Sequence, residues 1–377
     1  MTELLALVGG VLGPFLVLLL LVVPLIVVHE LGHFIVARRR GIAVEEFGIG
    51  FPPRVAVLHR GARTLLTLNA LPFGGFVRMA GATEGSSEPD GWERASLTSK
   101  VLVMLAGVVV NLLVAFALMF VLAGPLAERG ELLLADVQPG SPAANAGILP
   151  GERISSLNGV PFDRFETPLV GLREAAGTDV QLTILSSANV PREITLRLRT
   201  IEEAADQGVL GISIADLLPA GPLERPVTDV VRLAAARTIE AGGAIIGGLA
   251  DLFSAPFRSA EEGPALSGPV GIAVGVAGAA ERLGFSGLLQ IAALLSANLA
   301  ILNLLPIPPL DGGRVAALLL RRALGGERGR KVEQALSRLE RWRCCFSSSG
   351  SHSATSQRSL AEVPDESQPP CGPTPSR

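Results

Sequence analysis

Polar and apolar positions along this chain follow two regimes. From about Leu12 to Ala37, from Val101 to Ala123, and again from about Phe285, nearly every position is apolar. Each run is long enough to cross a hydrocarbon core of roughly 30 Å at about 1.5 Å per residue, so the pattern predicts three transmembrane helices. Between Glu46 and Met79 the period changes. Alternating and β-branched residues with Gly and Pro breaks predict short strands and hairpins, and Asp90 to Lys100 is polar. Glu131 to about Thr200 is different again. It reads as a strand at Leu132–Val137, a Pro-Gly turn into a short helix, an Asn158-Gly159 hairpin, and strands at Thr178–Ser186 and Arg192–Arg199. Asp229 to Ala260 is helical and rich in Ala and Gly. Its spaced charges (Arg232, Arg237, Glu240, Asp251) predict an amphipathic helix on the membrane surface rather than a further span.

Composition agrees with a membrane protein: 49% of the 377 residues are apolar, and the mean hydropathy is +0.46. A net charge of −3 offers no basic field for a nucleic acid, so no nucleic-acid partner is expected. Local charge says more. Arg38-Arg39-Arg40 follows the first apolar run, and Arg314, Arg321, Arg322, Arg328, Arg330 and Lys331 follow the last. By the positive-inside rule both clusters are cytoplasmic, which puts the N-terminus and the segment after the second span outside. The first apolar run lacks a basic leader and is not a removable signal peptide. Cys344, Cys345 and Cys371 all lie in the last 34 residues, so the body carries neither a disulfide framework nor a thiolate metal site. Arg341–Arg377, rich in Ser, Pro and Gln, predicts a disordered tail, either a genuine cytoplasmic one or the product of a frameshift.

The candidate chemistry sits inside the apolar runs. His29-Glu30-Leu31-Gly32-His33 places two imidazoles one helical turn apart, able to grip one metal ion, with Glu30 placed to act as a base on water. His33 is five residues from Arg38, roughly 8 Å along a helix, so the pair lies at membrane depth near the cytoplasmic side. Ionisable groups there are costly and are functional candidates by default. In the last run, Asn303-Leu304-Leu305-Pro306-Ile307-Pro308-Pro309-Leu310-Asp311-Gly312-Gly313 breaks a helix with three prolines. Such a break at membrane depth survives where it lines a cavity or is packed in protein. Two histidines leave a catalytic zinc one protein ligand short of its usual three, and Asp311 completes the set. The competing reading makes Asp311 a helix cap beside a Gly-Gly turn. Asn303 is placed to hydrogen-bond a substrate backbone or a developing oxyanion. Asn111, the strongly polar residue of the second run, either bonds a neighbouring helix or serves the metal.

HExxH in the first span, the Gly48-Ile49-Gly50 and Gly74-Gly75-Phe76-Val77 stretches, Ser267-Gly268-Pro269-Val270-Gly271-Ile272 and the Asn303–Gly313 motif together resemble the bacterial site-2 proteases, over roughly residues 10 to 325. That family, typified by the regulator-of-sigma-E protease, consists of intramembrane zinc metalloproteases. Residues 139–159 resemble a PDZ domain, with Glu152 for the usual Asp and Leu157 for the usual Ile. The fold this implies is a polytopic α-helical membrane protein with a zinc site between transmembrane helices, a membrane-associated β-hairpin element and an inserted extracytoplasmic PDZ domain. The corresponding divisions are 1–40, 41–100, 101–124, 130–200 (PDZ), 201–284, 285–325 and 326–377. The resemblance makes His29, His33 and Asp311 zinc ligands, Glu30 the catalytic residue, and Asn303, Gly74 and Gly75 substrate-binding positions, the glycines on a re-entrant loop presenting substrate as a strand. It implies cleavage of single-span membrane proteins such as anti-sigma factors in the bacterial inner membrane, with peptide termini binding the PDZ domain. Alternatives are a non-catalytic membrane-anchored PDZ adaptor and a metal transporter. Glu30 separates them, since an adaptor does not need it and a transporter would carry several acidic residues across its spans. One departure stands out: family members have a further apolar span after the Asp-Gly-Gly, and nothing from Arg321 onward resembles one.

Overall fold

The computed structural model describes residues 2–81, 89–164, 168–204, 208–254 and 269–325. Helix α1 (Thr2–Arg39) is a single long rod that accommodates Pro14 and Pro24 and ends in Arg38 and Arg39. Strands β1 (Val44–Arg60) and β2 (Leu65–Met79) follow, then a short 3-10 turn at Trp92–Arg94 and helix α2 (Leu97–Ala123). The Ser96 hydroxyl starts α2 by accepting from the Ser99 amide at 3.2 Å.

β1 and β2 do more than make one hairpin. Both are long and bent, and the stretch from Glu46 to Ile49 pairs on one side with Gly75–Arg78 and on the other with Leu65–Leu68. The second half of β1 pairs back on the same part of β2, with Arg54 opposite Asn69 and Arg60 opposite Leu65. Two strands thus supply four antiparallel segments in the order 54–60, 65–69, 46–49, 75–78. Among the described residues the last is an edge. Its inner end packs with Ala37, Ile42, Val44, Met79, Val103 and Met104, which joins the sheet to α1 and α2.

The inserted domain comprises β3 (Glu128–Val137), α3 (Pro142–Asn145), β4 (Arg153–Leu157), β5 (Val160–Asp163), α4 (Pro168–Glu174), β6 (Asp179–Leu185), β7 (Pro191–Arg197), α5 (Ile201–Ala204) and β8 (Ile212–Pro222). Its six strands run in the order β7-β6-β4-β5-β3-β8, around a core that includes Leu132, Leu134, Ile148, Ile154, Leu182 and Ile184. Period-2 alternation in these segments buries every second side chain, as in β6, and so makes one face of the sheet.

Helices α6 (Val227–Ser254), α7 (Pro269–Leu304) and α8 (Asp311–Leu324) complete the described chain, with α7 broken at Gly284. Here the three-span expectation needs correcting. Among the described residues four helices are long and apolar enough to cross a membrane: Gly13–Arg39, Leu97–Ala123, Val227–Leu252 and Gly284–Leu304. The third is the stretch expected on the surface. It instead packs lengthwise and antiparallel to α2. Val230 lies against Gly124, Ala234 joins Met119 and Leu122, and Ala241 joins Ala115. Its charges pointed to the surface, but Arg237 among them is matched by a buried partner. Arg237 and Arg225 donate to the buried Asp163 carboxylate of β5 at 2.9 and 3.1 Å, and Arg225 also reaches the Ala123 carbonyl. This buried cluster ties the inserted domain to the helices. Ala293 and Ala297 of α7 enter the same two contact layers, so the second half of α7 is also antiparallel to α2. Leu16, Leu20, Leu102, Val109, Leu113 and Ile246 remain exposed on helix faces, as lipid-facing side chains would. The tail and its three cysteines lie outside the described residues, as does Ser267-Gly268 of the motif that precedes α7.

Candidate metal centre

The 3.6-residue period of α1 aims His29 and His33 at one neighbour, α2, and both imidazoles are buried at 5% exposure. Opposite them α2 carries Gly107. A Cβ there would lie 2.6 Å from His29 Cε1 and from His33 Nε2, so the absent side chain is what leaves room for the two rings. One turn away on either side along α2, the Val103 carbonyl accepts from His33 Nδ1 at 2.7 Å, and Asn111 stands 3.3 Å from His29 Nδ1. The bond to Val103 fixes the His33 tautomer, with the proton on Nδ1 and the Nε2 lone pair turned inward.

Asp311 arrives from the other end of the chain, at the start of α8 after the proline break. The break is compact: a Cβ on Gly312 or Gly313 would run into the backbone of Leu304 or Ile307, so the turn demands both glycines. Asp311 Oδ2 is 3.0 Å from His29 Nε2 and 3.2 Å from His33 Nε2, and the two Nε2 atoms are 3.2 Å apart. Three donors held at about 2.0–2.1 Å by a tetrahedral zinc would be about 3.3–3.4 Å from one another. The triangle therefore has the size of a zinc face, and the donor set, two imidazoles and a carboxylate, suits that ion. The ligand atoms of His29, Glu30 and His33 all lie within 4.8 Å of one another, which puts Glu30 beside the triangle. Gly75 of the sheet edge packs on it, with a Cβ position 3.1 Å from Glu30 Cγ.

The structure thus brings together His29, Glu30, His33, Asp311 and Gly75, with Gly74 next in the strand. The Asn303 amide donates to the Leu299 carbonyl one turn back on its own helix, at 2.9 Å. Sequence reasoning singled out Asn111 without deciding its role, and it missed Gly107 and the Val103 carbonyl. Their helical spacing from Asn111 (103, 107, 111) was the available signal.

Two histidines, a carboxylate and an adjacent glutamate are the side chains of a metal-dependent hydrolase, carried here by a protein with several membrane-crossing helices. Residues 15–345 match the profile of peptidase family M50, and the chain belongs to that family. Several relatives carry the name "putative zinc metalloprotease". The one from Brucella suis is 31% identical over 81% of this chain and 84% of its own length. That from Mesorhizobium japonicum is 33% identical over 81% and 87%, and that from Clostridium perfringens 33% over 83% and 89%. The protein is a multi-pass membrane zinc metalloprotease of the M50 family.

Proposed function

We propose that this protease works inside the bilayer of the bacterial inner membrane, cutting the transmembrane segments of single-span proteins, anti-sigma factors among them. The observation that carries this reading is the position of the donor triangle. It joins α1, which is long and apolar enough to span, to the break after α7, with a β edge beside Glu30.

In this reading His29, His33 and Asp311 hold the zinc. Zinc, when bound, supplies Lewis acidity that makes a water acidic near neutral pH and polarises a peptide carbonyl. Glu30 takes the proton of the attacking water and returns it to the leaving amine nitrogen. A substrate helix hides its carbonyls in i→i−4 bonds and must unwind to be cut. The edge segment 75–78, continuing from Gly74, offers it replacement backbone partners by strand addition. Substrates with Gly, Ser or Pro near the cut unwind at least cost. Asn303 is close enough in sequence to the break to serve a substrate backbone once its bond to Leu299 is exchanged.

The inserted domain is read as PDZ-like and extracytoplasmic. Among the described residues β8 pairs only with β3, so its other edge is open to a peptide terminus.

The test is co-expression with tagged single-span substrates, wild type against Glu30→Gln, with zinc measured in the purified proteins. Glu30→Gln should keep its zinc and lose cleavage by at least about a hundredfold, since it removes the base and spares the ligands. Undiminished turnover would remove Glu30 from the mechanism.

A further inference from the structure

We propose that Asn111 is a positioning residue for His29, and that it acts through its amide oxygen. The inference rests on the zinc site proposed above. Asn111 is fully buried in α2, and its own backbone carbonyl is held by Ser296 Oγ of α7 at 2.8 Å, so the side chain has little freedom to leave the site. In the arrangement seen, the amide nitrogen stands 3.3 Å from His29 Nδ1, while the amide oxygen is buried with no hydrogen-bond partner among the described residues. A half-turn of the amide exchanges the two atoms at no steric cost, because they are nearly the same size.

The chemistry of the ring decides between the two orientations. His29 Nε2 faces His33 Nε2 and Asp311 Oδ2. To bind a cation there it must present a lone pair, so the neutral ring carries its proton on Nδ1. A proton on Nδ1 needs an acceptor, and an amide NH2 is not one. Turned over, the Asn111 oxygen accepts that proton, and the orphaned buried oxygen gains its partner. His33 is served the same way by the Val103 carbonyl. The two histidines, one turn apart on α1, are thus matched by two acceptors on α2, with Gly107 between them leaving space for the rings. Outer partners of this kind fix ring orientation and raise ligand basicity.

Three proteins purified as the full chain in detergent test this: wild type, Asn111→Asp and Asn111→Leu. Zinc affinity is read by competition with a chelator of known affinity, and thermal stability is measured on the zinc-free proteins. Asn111→Asp, which can only accept, should bind zinc within about threefold of wild type. Asn111→Leu, of similar size but with no acceptor, should bind roughly 10–100-fold more weakly while its zinc-free form stays as stable as wild type. Wild-type affinity in Asn111→Leu would overturn the proposal. So would a folded Asn111→Asp that has lost zinc, because that result would make the amide a donor. If Asn111→Leu does not fold, Asn111→Asp alone decides. Absence of zinc from the wild type itself would instead count against the zinc site on which the proposal rests.

Discussion

At Gly107 the important group is one that is not there. An alanine methyl would sit 2.6 Å from ring atoms of both histidines, well inside van der Waals contact, and the rings cannot retreat without leaving the Val103 carbonyl and Asp311. Gly107→Ala should therefore fold but bind zinc at least about tenfold more weakly, as metal analysis alongside a melting curve would show. A folded Gly107→Ala with full zinc occupancy would mean that the rings have slack the geometry does not suggest. This residue also marks the limit of what the sequence discloses. His29, Glu30 and His33 were legible because helical spacing converts directly into a shared face. Asp311 was a candidate because a two-histidine site lacks a ligand, and a helix cap was the competing reading; the structure sets its carboxylate 3.0 Å from His29. A glycine and a backbone carbonyl carry no chemical label, so their part in the site emerges only when α2 is docked on α1. Asn303 was legible by its chemistry alone; its amide bonds the Leu299 carbonyl of its own helix, and a role toward substrate needs that bond exchanged.

For the elements, alternation in residues 46–79 correctly announced strands, but it could not say that each strand bends and pairs twice. A buried carboxylate sits at the centre of that arrangement. Glu46 accepts from Thr67 Oγ1 at 2.7 Å and from Arg54 at 2.8 Å, and is also bonded by Arg78. Burial by itself would raise its pKa. The donors from Thr67 and Arg54 and the neighbouring charge of Arg78 outweigh it and hold the carboxyl below its usual range. A group with a depressed folded pKa contributes stability that is complete above its unfolded value, about 4.3 for Glu, and is lost as pH falls through the folded value. Glu46→Gln should lower the melting temperature near neutral pH, and the gap from wild type should narrow below about pH 4.3. A gap that stays constant on acidification would deny the Glu46 charge its role. Helix α6 offers a similar lesson. Its arginine looked like a surface charge because its partner, Asp163, lies 74 residues upstream in another domain.

Over the whole molecule, the packing layers set the direction of every span. If α1, which ends in arginines, enters the cytoplasm, then α2 returns, and α6 and the second half of α7, both antiparallel to α2, run inward again. From Val230, level with the end of α2, to Leu252 is about 33 Å of helix, enough to cross the core. Two parallel inward helices require the chain to come back outward between them. On that topology Asp311, which lies 3.0 Å from His29 and 3.2 Å from His33, shares their cytoplasmic-side depth. With the native cysteines replaced, a cysteine at Phe285 should react with an impermeant thiol reagent in intact spheroplasts, and one at Leu252 only after permeabilisation. Labelling of Leu252→Cys from outside would return α6 to the membrane surface.

A zinc centre at this depth that cuts peptide bonds within the membrane must leave new chain ends inside the substrate's span. A single-span substrate is incubated with the purified protease, and the new termini are located by mass spectrometry, with Glu30→Gln as the control. The predicted cut lies inside the substrate's apolar span, toward its cytoplasmic end, and is absent from the control. Termini that fall in a soluble segment, or that form equally with Glu30→Gln, would mean that this centre does not cut within the membrane.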